Sequence, residues 1–330
     1  MPYIISVLTI IIIILAVFAG YFLIGQAPKS AEIIWGVNFS QKHATDLGLD
    51  WQKTYLALLD DLKVKNVKLL THWDLLEPTV SQYNFDDLDW QVRMAKERGV
   101  NIILVIGMKT GRWPECHIPS WAKGLDKKEQ QANIVALLRA TVSRYQKNDN
   151  IKAWQVENEP FFPFGHCPWT DKNFVKLEVA LVKSLDQQKR PVILSESGEG
   201  SAWFSAAKLG DKVAVTIYRK SWFTPLGMYI HYPLPPIFYW RKAQLIKTFF
   251  NKDVFCGELQ AEPWCPNQLY NCSSEEQAKT MDLAKFKNNI GFAKRAGLKE
   301  FYFWGAEWWY WLKEKQNNPQ IWQEAKRLWP

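Results

Sequence analysis

Between Ile33 and Gly305 the chain repeats one unit eight times: a short apolar, β-branched run, then a longer stretch with apolar residues at helical spacing. The runs are Ile33–Asn38, Val67–His72, Asn101–Gly107, Lys152–Glu157, Pro191–Ser195, Lys212–Tyr218, Asp253–Glu258 and Lys299–Gly305. The third, NIILVIG, is apolar throughout rather than alternating, as a parallel strand covered on both faces must be. Of the intervening stretches, Trp51–Leu62 brings Trp51, Tyr55, Leu58, Leu59 and Leu62 to one helical face, and Asp87–Arg98 is stopped by Gly99. Ser274–Ala296 opens on a capping-box pattern, Ser274 to Gln277, and ends at Gly297. Such units close into a (βα)₈ barrel or spread into a doubly wound sheet. No G-x-G-x-x-G turn follows the first run, which removes the usual case for a dinucleotide-binding sheet, so the barrel is the expected fold.

The first thirty residues differ from the rest. Ile4 to Ile24 is an uncharged run of 21 residues, and the first charged side chain is Lys29. That length suits a bilayer-spanning helix, and no A-x-A cleavage pattern follows it. The expectation is a membrane anchor over residues 1–29, with a transmembrane helix at about 4–24, and a barrel domain over 30–330. No Lys or Arg precedes the span, so charge does not orient it. Of the net charge of +8, all but the one unit of Lys29 belongs to the barrel domain, which suits anionic membrane surfaces or acidic polymers; with no nucleic-acid motif, nucleic acid is not an expected partner.

Five cysteines stand at 116, 167, 256, 265 and 272. Four are in loop-like sequence and Cys256 is inside a strand run. The expected arrangement is Cys116–Cys167 between loops after the third and fourth strands, Cys265–Cys272 across a small loop, and Cys256 as a buried thiol. Disulfides fit an extracytoplasmic domain, as does an anchor. Zinc held by Cys116, His117, His166 and Cys167 is the rival reading, disfavoured because zinc ligands come in tighter C-x₂₋₄-C pairs.

In such a barrel, reactive groups gather where strands end. The fourth run ends in W-Q-V-E-N-E-P, residues 154–160, and the seventh reads V-F-C-G-E-L-Q-A-E-P-W, residues 254–264. Strands four and seven face each other across an eight-stranded barrel. They can therefore deliver the two carboxyls that glycosidic cleavage needs, one to protonate the leaving oxygen and one on the opposite side of the sugar.

The W-Q-V-E-N-E-P segment resembles the Asn-Glu signature of clan A glycoside hydrolases, especially family 5 and family 42, the cellulase and β-galactosidase type of barrel. The resemblance covers residues 31 to 325. It implies a retaining hydrolase of O-glycosidic bonds, of β configuration, in oligo- or polysaccharides, working by double displacement without a cofactor. It makes Glu159 the acid/base, Asn158 a ligand of the sugar 2-hydroxyl, Glu258 the nucleophile, Tyr218 its hydrogen-bond donor and Trp304 the sugar platform. Trp113 and Trp264 are further platform candidates, with Trp308, Trp309 and Trp311 weaker ones, because indole suits the apolar face of a pyranose. The second strand departs from the pattern: Lys68 stands where the clan places an Arg, and Lys109 or Arg112 could compensate. Glu262 competes with Glu258; an extended run from Val254 reaches Glu258 first, and Pro263 puts Glu262 on the loop.

Glu157 reads as a structural ion pair at a strand end. The stretch Trp222 to Trp240 reads as a lid, a membrane-interface element or a loop packed on the barrel. Three other functions stay open: a catalytically weak carbohydrate-binding barrel, a transglycosidase, and a metallohydrolase built on His72, His117 and His166.

Overall fold

A computed structural model of the chain describes Thr9, residues 16–17 and 19–30, and residues 32–330. Its strands are β1 (Ile34–Phe39), β2 (Asn66–Leu70), β3 (Asn101–Ile106), β4 (Ile151–Val156), β5 (Val192–Glu196), β6 (Lys212–Ile217), β7 (Lys220–Phe223), β8 (Met228–His231), β9 (Asp253–Gln260) and β10 (Glu300–Trp304). All except β7 and β8 close into a parallel barrel in the order β1-β2-β3-β4-β5-β6-β9-β10. Each of the eight expected runs corresponds to one barrel strand, with ends displaced by one or two residues.

The strands are apolar on both faces because both faces are covered. Inside the barrel, Ile103, Ala153, Ile193, Ala214, Phe255 and Tyr302 form one layer, and Leu70, Val105 and Trp304 form another. Outside, residues such as Leu69, Leu104, Trp154 and Phe303 join the larger core beneath the helices. Several of those helices start where side chains satisfy their free N–H groups. Asp50 caps Trp51–Asp60, and Asp126 with Glu129 forms a capping box on Lys127–Tyr145.

One irregularity decides what the barrel presents. In β9, Cys256 is paired with Val215 of β6 but Glu258 is paired with Thr216, so Gly257 is an extra residue. The shift recurs against β10. This β-bulge reverses the inward–outward phase of β9. Phe255 points into the barrel, and beyond the bulge so does Glu258, whereas Leu259 packs in the outer core. Only glycine fits at the bulge: a Cβ on residue 257 would lie 2.9 Å from that of Ala214.

Three expectations change. The transmembrane helix at 4–24 is not supported, and the membrane as partner and a single-pass location go with it. Among the described residues no helix is long and apolar enough to cross a membrane. Most of that stretch lies outside the described residues. Its described end, helical at 19–23, finds protein partners instead: Phe22 is buried 5.9 Å from Phe238, and Arg241 lies over the Tyr21 ring. The single helix expected over Ser274–Ala296 is two, Ser274–Ala278 and Leu283–Arg295, with caps at Ser273 and Asp282. The break buries Met281 and lets Thr280 accept from the Trp264 N–H at 2.9 Å. The Trp222–Trp240 stretch holds the β7–β8 hairpin and the start of the helix Pro236–Phe250. Tyr229 of the hairpin donates to Glu276.

Candidate active site

The strand ends of β2, β4, β6, β9 and β10 and the loop after β3 converge on one cluster of ionisable groups. Glu258 is enclosed, 4 % exposed, and its two carboxylate oxygens are separately held. Lys68 of β2, fully buried, donates to one at 3.3 Å, and the Tyr218 hydroxyl at the exit of β6 donates to the other at 3.0 Å. The lysine in place of arginine thus reaches the carboxylate directly. Neither proposed substitute does so: Lys109 donates to the backbone carbonyls of Glu159 and Phe162, and Arg112 is paired elsewhere.

Glu159 leaves β4 on a bent backbone. Glu157 and Glu159 both have left-handed φ, 57° and 42°, a conformation costly for non-glycine residues and concentrated at functional sites. Flanking strands hold the turn. The Glu159 N–H donates to Ser195 Oγ of β5 at 2.8 Å, and Ser195 donates to Asn158 Oδ1 at 3.2 Å. On the other side the Asn158 N–H bonds the Lys109 carbonyl. Burial pushes the Glu159 carboxyl well above its usual range, and the charges of Glu258 and Glu115 push it further. These surroundings favour the protonated form of Glu159.

Glu262 is held apart from this pair. Arg112 donates to it and to Glu307, and His43 lies 3.1 Å away. Burial raises the Glu262 carboxyl, but Arg112 and His43 overcome this and hold it down to about 2. The Arg112 guanidinium also sits 4.0 Å from the centre of the Trp304 ring, covering one indole face at the end of β10. Trp264 meets Tyr218 edge-on at 5.0 Å, and Trp113, 46 % exposed, meets His166 edge-on at 4.4 Å. Trp308 and Trp309 are buried, with indole N–H groups donating to Gln277 and the Ala261 carbonyl.

Cys116 and Cys167 form a disulfide, which removes both thiols from any zinc set. Cys265 and Cys272 carry free thiols, and Cys256 is a buried one. His72 contacts Ser40 at 2.9 Å and meets the tilted His117 ring at 4.1 Å, while His166 packs against Trp113. Among the described residues no group of His, Cys, Asp and Glu could hold a metal ion.

Among the described residues Glu157 has no ion-pair partner. It accepts the Met108 and Lys109 N–H groups, and burial raises its carboxyl and pushes that of Glu178 well up. Three site groups went unnoticed in the sequence: Glu115 after β3, Ser195 on β5, and Glu199, which accepts from the Tyr218 N–H and the Tyr239 hydroxyl, each at 2.8 Å. Ser195 ends a predicted strand, and Glu115 lies beside a cysteine expected to be bridged; both were usable signals.

Residues 37–176, less than half of the chain, match the model for glycosyl hydrolase family 10. No curated protein matches the chain. Among solved structures, a β-galactosidase from Rahnella sp. R3 is 11% identical with a TM-score of 0.59, over 92% of this chain and 57% of that one. Xylanase 10B from Thermotoga petrophila RKU-1, solved with xylobiose, is 14% identical with a TM-score of 0.58, over 90% of this chain and 94% of that one. A GH5_18 protein from Streptomyces cattleya, solved with GlcNAc, is 14% identical with a TM-score of 0.54, over 85% and 71%. At such identities the likeness is one of fold. The chain spans just over half the length of the β-galactosidases it matches. The fold is the (βα)₈ barrel that these solved structures share, and the partial sequence match is to family 10 rather than to the expected families 5 and 42.

Proposed function

We propose that residues 30–330 form a retaining glycoside hydrolase that cleaves β-linked oligo- or polysaccharides through a glycosyl-enzyme intermediate. One observation carries this reading: two carboxyls in one cleft whose surroundings set them apart. Glu258 is neutralised by Lys68 and bonded by Tyr218, while burial and the Glu258 charge keep Glu159 protonated. A base–acid division of this kind is what glycosidic cleavage needs.

In this mechanism Glu258 attacks the anomeric carbon as the bond to the aglycone oxygen breaks. Glu159 gives its proton to that oxygen. The ionised Glu159 then takes a proton from water, whose oxygen attacks the anomeric carbon and releases the Glu258 carboxylate. Asn158 bonds the sugar 2-hydroxyl, Trp304 floors the subsite with its face away from Arg112, and Trp113 and Trp264 line the approach. Glu262 fixes Arg112 rather than reacting, since its charge is already bonded.

The test is reaction with 2-deoxy-2-fluoro β-glycosides, followed by peptide mass analysis. The expected result is one glycosyl group on Glu258, no label in Glu258→Gln, and a β-configured product with ordinary substrates. Label on Glu262 would move the nucleophile. No label and no turnover of any 4-nitrophenyl β-glycoside would reject the hydrolase.

A further inference from the structure

Tyr218 donates its hydroxyl to Glu258, yet it stands one residue past the end of β6, where the ladder with β9 has closed. A backbone N–H that leaves a ladder needs another acceptor. That acceptor is Glu199, on the loop after β5. Its Oε1 accepts the Tyr218 N–H and the Tyr239 hydroxyl, each at 2.8 Å, and its Oε2 accepts the Thr216 hydroxyl at 3.2 Å. One carboxylate thus collects three donors, two from the end of β6 and one from the helix Pro236–Phe250. Two acceptor oxygens on one side chain are what all three require.

The loop that carries Glu199 is pressed onto the same strand. The Gly198 N–H donates to Thr216 Oγ1 at 2.9 Å, and a Cβ on residue 198 would lie 1.7 Å from the Thr216 carbonyl oxygen, so only glycine passes there. Lys242 ties the loop down from the helix side, donating to the carbonyls of Gly198 at 3.1 Å and Ser201 at 2.7 Å. Beyond Tyr218, Gln260 of β9 accepts the next two N–H groups, those of Arg219 at 2.8 Å and Lys220 at 3.1 Å. The backbone is therefore gripped on both sides of Tyr218, and the phenol is a lever from that grip to Glu258. A tilt of the backbone is magnified at the hydroxyl, so its distance of 3.0 Å from Glu258 depends on what holds residue 218.

We propose that Glu199 is a positioning residue: by holding the Tyr218 N–H it places the phenol and so sets the hydrogen bond that Glu258 receives. This rests on the hydrolase reading for what that hydrogen bond does in turnover. Glu199 takes neither carboxyl role in the reaction and acts on it through Tyr218.

The experiment is a double-mutant cycle of Glu199→Met, which keeps the side-chain length and removes both acceptors, with Tyr218→Phe. It is run on the best 4-nitrophenyl substrate among β-glucoside, β-galactoside, β-xyloside and β-mannoside. Alone, Glu199→Met should lower kcat roughly 10-fold with KM within about twofold, since a small misplacement of a reacting group is costly. In Tyr218→Phe, which has no hydroxyl to place, it should lower kcat by about twofold or less. Glu199→Gln, which keeps one acceptor oxygen for the Tyr218 N–H, should recover most of the loss. Equal losses in both backgrounds would overturn the proposal, because Glu199 would then act by another route. A loss confined to KM would overturn it by making Glu199 a sugar ligand, and an unchanged kcat by showing that Gln260 suffices. If Glu199→Met does not fold, Glu199→Asp, which withdraws the acceptors by one methylene, takes its place in the cycle with the same outcomes. If wild type turns over none of the panel, the hydrolase reading falls alone, and crystal structures of wild type and the variant decide. A Tyr218 hydroxyl moved out of hydrogen-bond reach of Glu258 upholds the positioning role, and one still bonded overturns it.

Discussion

The Lys68 ammonium lies 3.3 Å from a Glu258 oxygen, and the barrel wall encloses both side chains. Removing one partner of such a pair leaves a buried charge uncompensated. Lys68→Met should therefore lower the unfolding free energy by about 3–5 kcal/mol and, under the proposed mechanism, abolish most turnover. Urea unfolding with parallel kinetics checks both; unchanged stability would mean that the pair is open to water.

Tyr218 contributes the second bond to Glu258, at 3.0 Å. A hydrogen bond to a charged group is worth about 1.5–3 kcal/mol, so Tyr218→Phe should cost roughly 10- to 150-fold in kcat. KM should move little, because the hydroxyl acts on the nucleophile and not on the sugar. A loss confined to KM would make Tyr218 a binding residue.

Glu159 acts as an acid only while protonated. Burial, then the charges of Glu258 and Glu115, raise its carboxyl well above the usual range. Activity should therefore persist into neutral pH and fall as the pH rises through that raised value. In Glu159→Gln this fall should vanish. The variant should keep most activity on 2,4-dinitrophenyl glycosides, whose leaving group needs no proton, and lose it on alkyl glycosides. Similar losses on both would remove Glu159 from the acid role.

Glu262 makes a prediction about stability. Burial raises its carboxyl, but Arg112 and His43 hold it down to about 2. A depressed value means that the folded state favours the ionised form. Its contribution is complete above the unfolded value of about 4.3 and is lost as the pH falls from there toward about 2. The integrated effect is roughly 3 kcal/mol. Glu262→Gln should be less stable than wild type near pH 7 and approach it near pH 2, measured by denaturant unfolding at each pH. A constant difference across that range would show that packing, not charge, is what the substitution removes.

Much of this was legible in the sequence because it is local. A parallel strand covered on both faces must be apolar over its whole length, so eight such runs announced eight barrel strands within one or two residues. The bend at Glu159 was legible for the same kind of reason: Asn-Glu-Pro is poor strand chemistry, and the turn it makes is a property of those residues. The apolar run at 4–24 shows the limit of local reading. Hydropathy says that such a segment avoids water, not whether lipid or protein covers it, and its described end packs Phe22 against Phe238.

The rest depended on neighbours far away in the chain. Strict alternation from the inward Phe255 would send Glu258 outward, into the helical layer. The extra residue at Gly257 reverses that, and a bulge exists only as a mismatch with β6 and β10, strands 40 or more residues away in register. What holds the Glu262 carboxylate was decided in the same way, by an arginine 150 residues earlier that donates to it. Glu115 is the extreme case. Its sequence context is a loop between Pro114 and Cys116, and what makes it notable is a buried oxygen without a hydrogen-bond partner among the described residues. Pattern is written in one strand at a time, but burial, register and the pairing of charges are relations between elements, and they come into being only when the barrel closes.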